Sequence, residues 1–389
     1  MITFEEATAL VTGAAHPLSV ETCGLSECLG RVLAADVFAD MDMPPFDKSA
    51  VDGFACRRQD MSNPLRIIET IAAGKVPVAK IGTNECSRIM TGAMLPQGAD
   101  IVLMVENTET TGEFARFTGK QSAINICFIA EDIHKDDKVL SAGIRIKPQH
   151  VAVLASVGCH SPVVCRKPII GVISTGNELV EPEEQALAGQ IRNSNGWQLM
   201  AQVQKAGCNA HYFGIADDSP EGTHAKIASA EAKCDIILLT GGVSMGDYDY
   251  VPGVIAEAGF TTLFHNIAVQ PGKPTIFAVK DHTYLFGLPG NPVSAFVQFE
   301  LIIRLLIDKI TGCTDPQPML RLPLGQDYKR RKSDRKSFLP VKIKFNEVFP
   351  VDYHGSAHIH AYVEADGIIA VNIGETEIQK GALVDVRQL

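Results

Sequence analysis

The rhythm of apolar and polar positions changes several times along the chain. In FEEATALVTG the apolar residues recur at helical spacing, and the same reading extends to SECLGRVLAADV despite its internal Gly30. ADMDMPPFDKSAVDGFAC follows, with a Pro-Pro pair and an Asp-Gly pair that predict an ordered loop. From about Arg66 to Val105, short apolar runs separated by glycines predict the strands of a small β-rich unit. A helix is expected again after Pro148, in KPQHVAVLASVGC. Helix, strands and helix in that order predict a β-rich domain, 40–132, inserted into a discontinuous linking domain made of 1–39 plus 133–166.

The pattern changes sharply at Lys167. PIIGVIS, HYFGIA and DIILLTGG read as strands, and NSNGWQLMAQVQKAGC and SPEGTHAKIASAEAK as the helices between them. TLFHNIAV, TIFAVK and TYLFGLPG read as further strands, and PVSAFVQFELIIRLLIDKI as a long closing helix. Such alternation predicts an α/β domain with a mostly parallel sheet over 167–313. The period-two pattern of FLPVKIKF and GIIAVNI predicts a small C-terminal β domain over 314–389. The expected fold class is therefore α/β multidomain.

Composition narrows the function. The chain has 389 residues, too many for one ordinary core, with 46% hydrophobic and 21% charged residues, as in globular proteins. A net charge of −10 argues against general nucleic-acid binding, which draws on Lys and Arg. It leaves room for a local basic pocket. MITFEEATAL lacks the basic and apolar regions of a signal peptide, and no apolar run suits a membrane span. The expectation is a cytoplasmic protein with neither nucleic-acid nor membrane partners. The ten cysteines form no CxxC pair; Cys23 and Cys28 are read, with the rest, as reduced, mostly buried thiols.

In an open α/β sheet, ligands bind beyond the carboxyl ends of the strands. There the sequence places STGNEL (Ser174, Thr175, Gly176, Glu178), DDSP (Asp217), TGGVSMGDYDY (Gly241, Gly242, Ser244, Asp249) and GLPGNPVS (Pro289, Gly290, Asn291, Pro292, Ser294). Glycines let a ligand approach the backbone and present successive N–H groups. Lys273 and Pro274, in QPGKP, add a charge on a braced loop. Asp217 and Asp249 are the candidate Mg²⁺ ligands, since this hard cation prefers carboxylates together with substrate phosphate. Each feature also has a plainer use: Gly-Gly as a turn, Asp217 as a helix cap, GLPGNP as a rigid corner. Their convergence on one sheet edge favours an anionic, nucleotide-like ligand.

SAVDGFA, RIMTGAMLPQGAD, STGNELVEP, GQIRNSN, LLTGGVSMGDYDYV, VQPGKP and GLPGNPVSAF occur in this order. Together they resemble the molybdopterin molybdenumtransferase family of MoeA proteins and the gephyrin E-domain. The resemblance runs the length of the chain. It implies an elongated homodimer in which the α/β domain of one subunit faces the inserted domain of the other. It implies adenylylated molybdopterin and molybdate as substrates, AMP as leaving group, molybdenum ending on the dithiolene sulfurs, and a Mg²⁺ requirement. A molybdopterin adenylyltransferase and recipient molybdoenzymes are the implied partners. By the same resemblance Asp52, Thr91, Asp132, Glu178, Asp217 and Asp249 are catalytic residues. Lys273, Ser294, Arg335 and Ser356 match a molybdate pocket, for which Lys, Arg and hydroxyl donors suit a tetrahedral oxyanion.

Some positions depart from the family pattern. NICFIAED, before Asp132, lacks an Arg-rich run, Asn177 replaces an aspartate, and Asn266 and Gln270 stand where bacterial relatives often carry lysines. These bear on affinity for the pterin phosphate. A specialised paralogue acting as a molybdopterin-binding or scaffold protein, or a tungstate-inserting homologue, is the alternative. The adenylyltransferase resembles only the α/β domain and lacks the loops around Asp52 and Thr91. His358 and His360 are read as one face of a half-exposed strand, Arg330 and Arg331 as surface residues, and Trp197 as helix packing.

Overall fold

Val20–Thr22 pairs antiparallel with Val163–Cys165, and Val37–Phe38 with Lys138–Leu140, so distant stretches of chain close one small unit. Cys28, Leu33, Ile146, Leu154 and Val164 fill its core. Leu154 comes from the helix after Pro148, Pro148–Ser156. The structure, a computed structural model, describes residues 1–217, 219–243, 250–315, 318–352, 355 and 357–389. The helix expected in SECLGRVLAADV is absent. Gly30 takes φ +77°, and Val32 and Leu33 bridge to Arg145 and Val164 instead. Pairing with a distant strand overrides the local helical spacing.

Between the two halves of this unit runs a six-stranded sheet in the spatial order Ile101–Met104, Gly53–Cys56, Glu85–Ile89, Leu65–Ile71, Phe114–Phe117, Thr108–Thr111. Gly53 is required here, because a Cβ would lie 1.9 Å from the Leu103 carbonyl oxygen.

The central domain carries six strands, β1 (Ile169–Thr175), β2 (Asn209–Ala216), β3 (Ile236–Thr240), β4 (Thr261–Phe264), β5 (Ile276–Lys280) and β6 (Thr283–Leu288). Their order is β2-β1-β3-β6-β5-β4, with β2, β1, β3 and β6 mutually parallel, β5 antiparallel to β6, and β4 antiparallel to β5. Both faces are covered, which is why β3 is buried throughout and apolar up to its last residue, Thr240. Ile236 and Leu238 face a core shared with helices α1 (Phe4–Gly13) and α2 (Ser194–Lys205). Ile237 and Leu239 face one shared with α3 (Pro220–Glu231) and α4 (Val251–Glu257). The crossovers leaving β1 and β2 thus lie on opposite faces, and a crevice opens between the ends of β1 and β3. The closing helical run is Pro292–Gln298, a π-helical turn Phe299–Ile303, and Arg304–Ile310.

The last unit is a sheet of Lys336–Lys344, Gly367–Val371, Leu383–Gln388 and Met319–Pro323, which Val269–Gln270 joins from the central domain as a parallel edge. Among the described residues no helix is long and apolar enough to cross a membrane. The stretch holding His358 and His360 is a 3₁₀ turn, Ile359–Val363, and not a strand. Tyr362 turns inward there against Phe296, and this packing anchors the turn.

Candidate functional site

A cavity of about 520 Å³ opens beyond the carboxyl ends of β1, β3 and β6. Thr175, Gly176 and Glu178 line it from β1, Asn193, Ser194 and Asn195 from the start of α2, and Thr240, Gly241 and Gly242 from β3. Gly290, Asn291 and Pro292 follow β6, and Ala357 reaches in from the last domain.

Buried hydrogen bonds fix these loops against one another. Asn195 Nδ2 donates to Thr240 Oγ1 at 3.0 Å and to the Gly290 carbonyl at 2.8 Å, and Thr240 Oγ1 donates on to Pro289 O at 3.3 Å. Ser174 Oγ donates to Asn193 Oδ1, which also caps α2 by accepting from the Gly196 amide. Asn193 Nδ2 donates to the Tyr212 hydroxyl at 2.7 Å, and that hydroxyl donates to Glu181 Oε1 at 2.5 Å. Burial first, and then the Glu181 carboxylate, push the Tyr212 hydroxyl well above its usual range, so it remains a donor. Trp197, half-exposed, completes the group by donating from Nε1 to Glu181 and lying against Tyr212.

The glycines serve close approach more than donation. A Cβ on Gly241, at φ +102°, would sit 2.3 Å from the Thr175 carbonyl oxygen. The Gly241 amide, expected to face a ligand, donates instead to Leu288 O at 3.1 Å, because the turn folds back onto β6.

Of the residues singled out by sequence, Thr175, Gly176, Glu178, Gly241, Gly242, Gly290, Asn291 and Pro292 share this wall. Ser174 and Pro289 lie buried just behind it. Ser294, expected in the anion pocket, is 3% exposed inside the closing helix, so helix phase turns it into the core. Asp217 is exposed one residue past β2, and Ser219, not Asp217, caps α3. Ser244, Asp249 and Ser356 lie outside the described residues. Asp52, Thr91 and Asp132 sit on loops of the inserted unit. Thr91 binds Asp52, and the Asp132 amide donates to Met43 O.

A second cavity, about 800 Å³, lies where the central and last domains meet. Arg330, Arg331, Lys332, Arg335, Gln270 and Ser337 are in its wall, and Gly355 lines it while Ala357 lines the first. Arg335 thus faces a cationic cavity, as expected, whereas Lys273 is exposed on the neighbouring loop and lines neither. Arg330 is not a free surface residue. It donates to Arg335 O at 2.9 Å, Ser337 Oγ at 2.6 Å and Glu375 O at 2.7 Å, which fixes the loop carrying the other cations.

Arg192, Asn193, Asn195 and Thr240 were not singled out from sequence. Arg192, Asn193 and Asn195 lie within GQIRNSN, whose Asn-Ser-Asn stands at a helix start, and Thr240 opens TGGVSMGDYDY at the end of β3. Among the described residues no three His, Cys, Asp or Glu side chains gather as a metal site.

Comparison with known proteins accounts for nearly the whole chain. Residues 2–158 match the family model "MoeA N-terminal region (domain I and II)", 171–309 the "Probable molybdopterin binding domain", and 321–389 the "MoeA C-terminal region (domain IV)". A molybdopterin molybdenumtransferase of Staphylococcus epidermidis is 34% identical over 93% of this chain and 89% of its own. One from Bacillus subtilis is 38% identical over 74% of this chain and 70% of its own. A crystal structure described as the molybdopterin biosynthesis MoeA protein of Pyrococcus horikoshii superposes with a TM-score of 0.86 at 28% identity, covering 100% of both chains. With its three matched regions in the order in which they occur here and a relative above 30% identity spanning nine-tenths of its length, the chain belongs to the molybdopterin molybdenumtransferase (MoeA) family.

Proposed function

We propose that the protein inserts molybdate into adenylylated molybdopterin with release of AMP. The observation that carries this reading is the cavity at the crevice between β1 and β3. Its volume suits a nucleotide-sized ligand, and its wall is built from strand-end glycines and the residues that open α2. In this reading Gly241 and Gly242 admit the nucleotide phosphate to the strand edge. Asn195 and Thr240 hold the loops at fixed spacing, so that catalysis comes from positioning and electrostatics. An oxygen of molybdate attacks the adenylyl phosphorus, and the phosphoanhydride P–O bond breaks with its bridging oxygen staying on the pterin phosphate. The bond from molybdenum to the transferred oxygen then breaks, AMP leaves with that oxygen, and the dithiolene sulfurs take its place on molybdenum. The cationic cavity around Arg335 is the place proposed for the oxyanion.

Mg²⁺ belongs to the proposal. One exposed carboxylate past a strand end, Asp217, is a fitting donor for a cation that binds through one or two carboxylates plus phosphate and water. When bound it would polarise the phosphoanhydride. The reading also takes 1–39 plus 133–166, 40–132, 167–313 and 314–389 as the four domains, with α1 docked on the central core. It includes a homodimer that brings Asp52 and Thr91 to the partner's cavity. Exposed Met41, Phe128 and Ile129, close in sequence to Asp132 or to Met43, to which its amide bonds, support that interface. Sedimentation tests it.

AMP release from adenylylated molybdopterin, with and without molybdate, tests the reaction. Molybdate-dependent release that Asp217→Ala and Asp249→Ala abolish supports both chemistry and metal. No release by folded wild-type protein overturns the reading.

A further inference from the structure

The first cavity has a single cation in its described wall. Arg192 immediately precedes Asn193, the cap of α2, and among the described residues that line the space it is, apart from Glu178, the only charged one. The Glu178 carboxylate folds over Gly176, where a Cβ would lie 2.6 Å from Oε2. A phosphate entering beside that carboxylate loses hydration and meets a like charge, so it needs a cation within reach. Arg192 is exposed and makes no ion pair with a described residue. Among the described residues only its Nε finds a partner, donating to the Glu184 carbonyl at 3.3 Å. That bond orients the guanidinium and leaves its paired Nη groups, whose planar geometry matches two phosphate oxygens.

We infer that Arg192 holds the phosphate of the nucleotide half of the substrate and so sets specificity for the adenylylated over the free pterin. This rests on the functional reading above. The sequence had assigned anion binding to Lys273 and Arg335, yet neither lines this cavity. The division that follows is chemical: the guanidinium at α2 grips the leaving group, and the separate cationic cavity takes the oxyanion.

The test uses the full-length protein with AMP as probe, in calorimetry at low ionic strength, on wild type, Arg192→Ala and Arg192→Lys. Arg192→Ala weakens AMP binding by about 10- to 100-fold, the worth of a charge-assisted pair of hydrogen bonds. Arg192→Lys, which keeps the charge and loses the fork, falls between. Added salt weakens wild type more than Arg192→Ala. In turnover, KM for adenylylated molybdopterin rises while kcat stays within about two-fold. A merely structural role for Arg192 would lower Tm without this split. Equal AMP affinity in wild type and Arg192→Ala, including none in either, overturns the assignment. Wild-type protein that binds AMP through Arg192 yet releases none from the substrate sinks the reaction and leaves the cation's role standing.

Discussion

Thr91 donates twice to one oxygen of Asp52, through its amide at 2.7 Å and its hydroxyl at 3.1 Å. No described residue donates to the other oxygen, which is the edge the proposed catalytic role would use. Asp52→Asn can keep the Thr91 contacts and neutralise the open edge. It is expected to lower molybdate-dependent AMP release by about 100-fold or more while Tm moves little. Asp52→Ala loses both contacts and is expected to lower Tm by about 1–3 °C as well. Paired rate and melting measurements separate the two. Equal rates for Asp52→Asn and wild type would remove Asp52 from the catalytic set.

The two glycine loops of the cavity predict opposite tolerances. Alanine at Gly241 meets the Thr175 carbonyl at 2.3 Å in a left-handed backbone conformation, so Gly241→Ala is expected to destabilise by about 2–4 kcal/mol and abolish AMP binding. Alanine at Gly290 meets only Gly241 Cα, at 3.8 Å, an ordinary contact. Gly290→Ala is expected to fold with a Tm close to wild type. Urea denaturation of the two variants checks the contrast.

Much of this site was legible because its logic is local. PIIGVIS and DIILLTGG are apolar runs that only a buried strand accommodates, and the glycines at their ends mark where the chain leaves the sheet. What escaped depends on packing between distant segments. SECLGRVLAADV has helical spacing, but Val32 and Leu33 find partners more than a hundred residues away. Ser294 follows a helix start and looked like a ligand donor, yet its phase on the helix buries it. Arg330 read as one more basic surface residue because two of its acceptors, the Glu375 and Asn372 carbonyls, come from a distant turn. Asn195 carried no chemical signature of its own. Its importance lies in reaching two loops at once, which spacing along the chain does not encode.

Acid sensitivity follows from carboxylates held below their ordinary range. The Arg57 guanidinium bonds Asp60 at 2.7 Å, the Asn84 amide adds a third donor, and together they lower the Asp60 carboxyl from its ordinary 3.8. Arg66 does the same for Glu85. Because the folded values are the lower ones, this stability is complete above the unfolded carboxylate range and is lost as pH falls through the folded values. Urea midpoints are expected to be level from pH 7 to about 5 and to drop below about 4, with a shallower drop in Asp60→Asn. An unchanged slope in that variant would show that Asp60 is not linked to folding.

Asn195 offers the sharpest stability prediction. Its Nδ2 joins the Thr240 and Gly290 loops, while its Oδ1 is buried with no partner among the described residues. Alanine removes two hydrogen bonds and also the orphaned acceptor, so the losses are partly offset. Asn195→Ala is expected to cost about 1–2 kcal/mol. Aspartate keeps the orphan and sets an oxygen against the Gly290 carbonyl, where the donor stood. Asn195→Asp is therefore expected to cost more than alanine, about 3 kcal/mol or above, despite being the closer isostere. Since both loops line the cavity, AMP affinity is expected to fall in the same order. Denaturation and calorimetry on the pair decide this. If aspartate proves the milder change, the amide is not holding the loops through its donor, and the fixed spacing of Thr240 and Gly290 must come from the bonds of Thr240 Oγ1 to Pro289 O and of the Gly241 amide to Leu288 O.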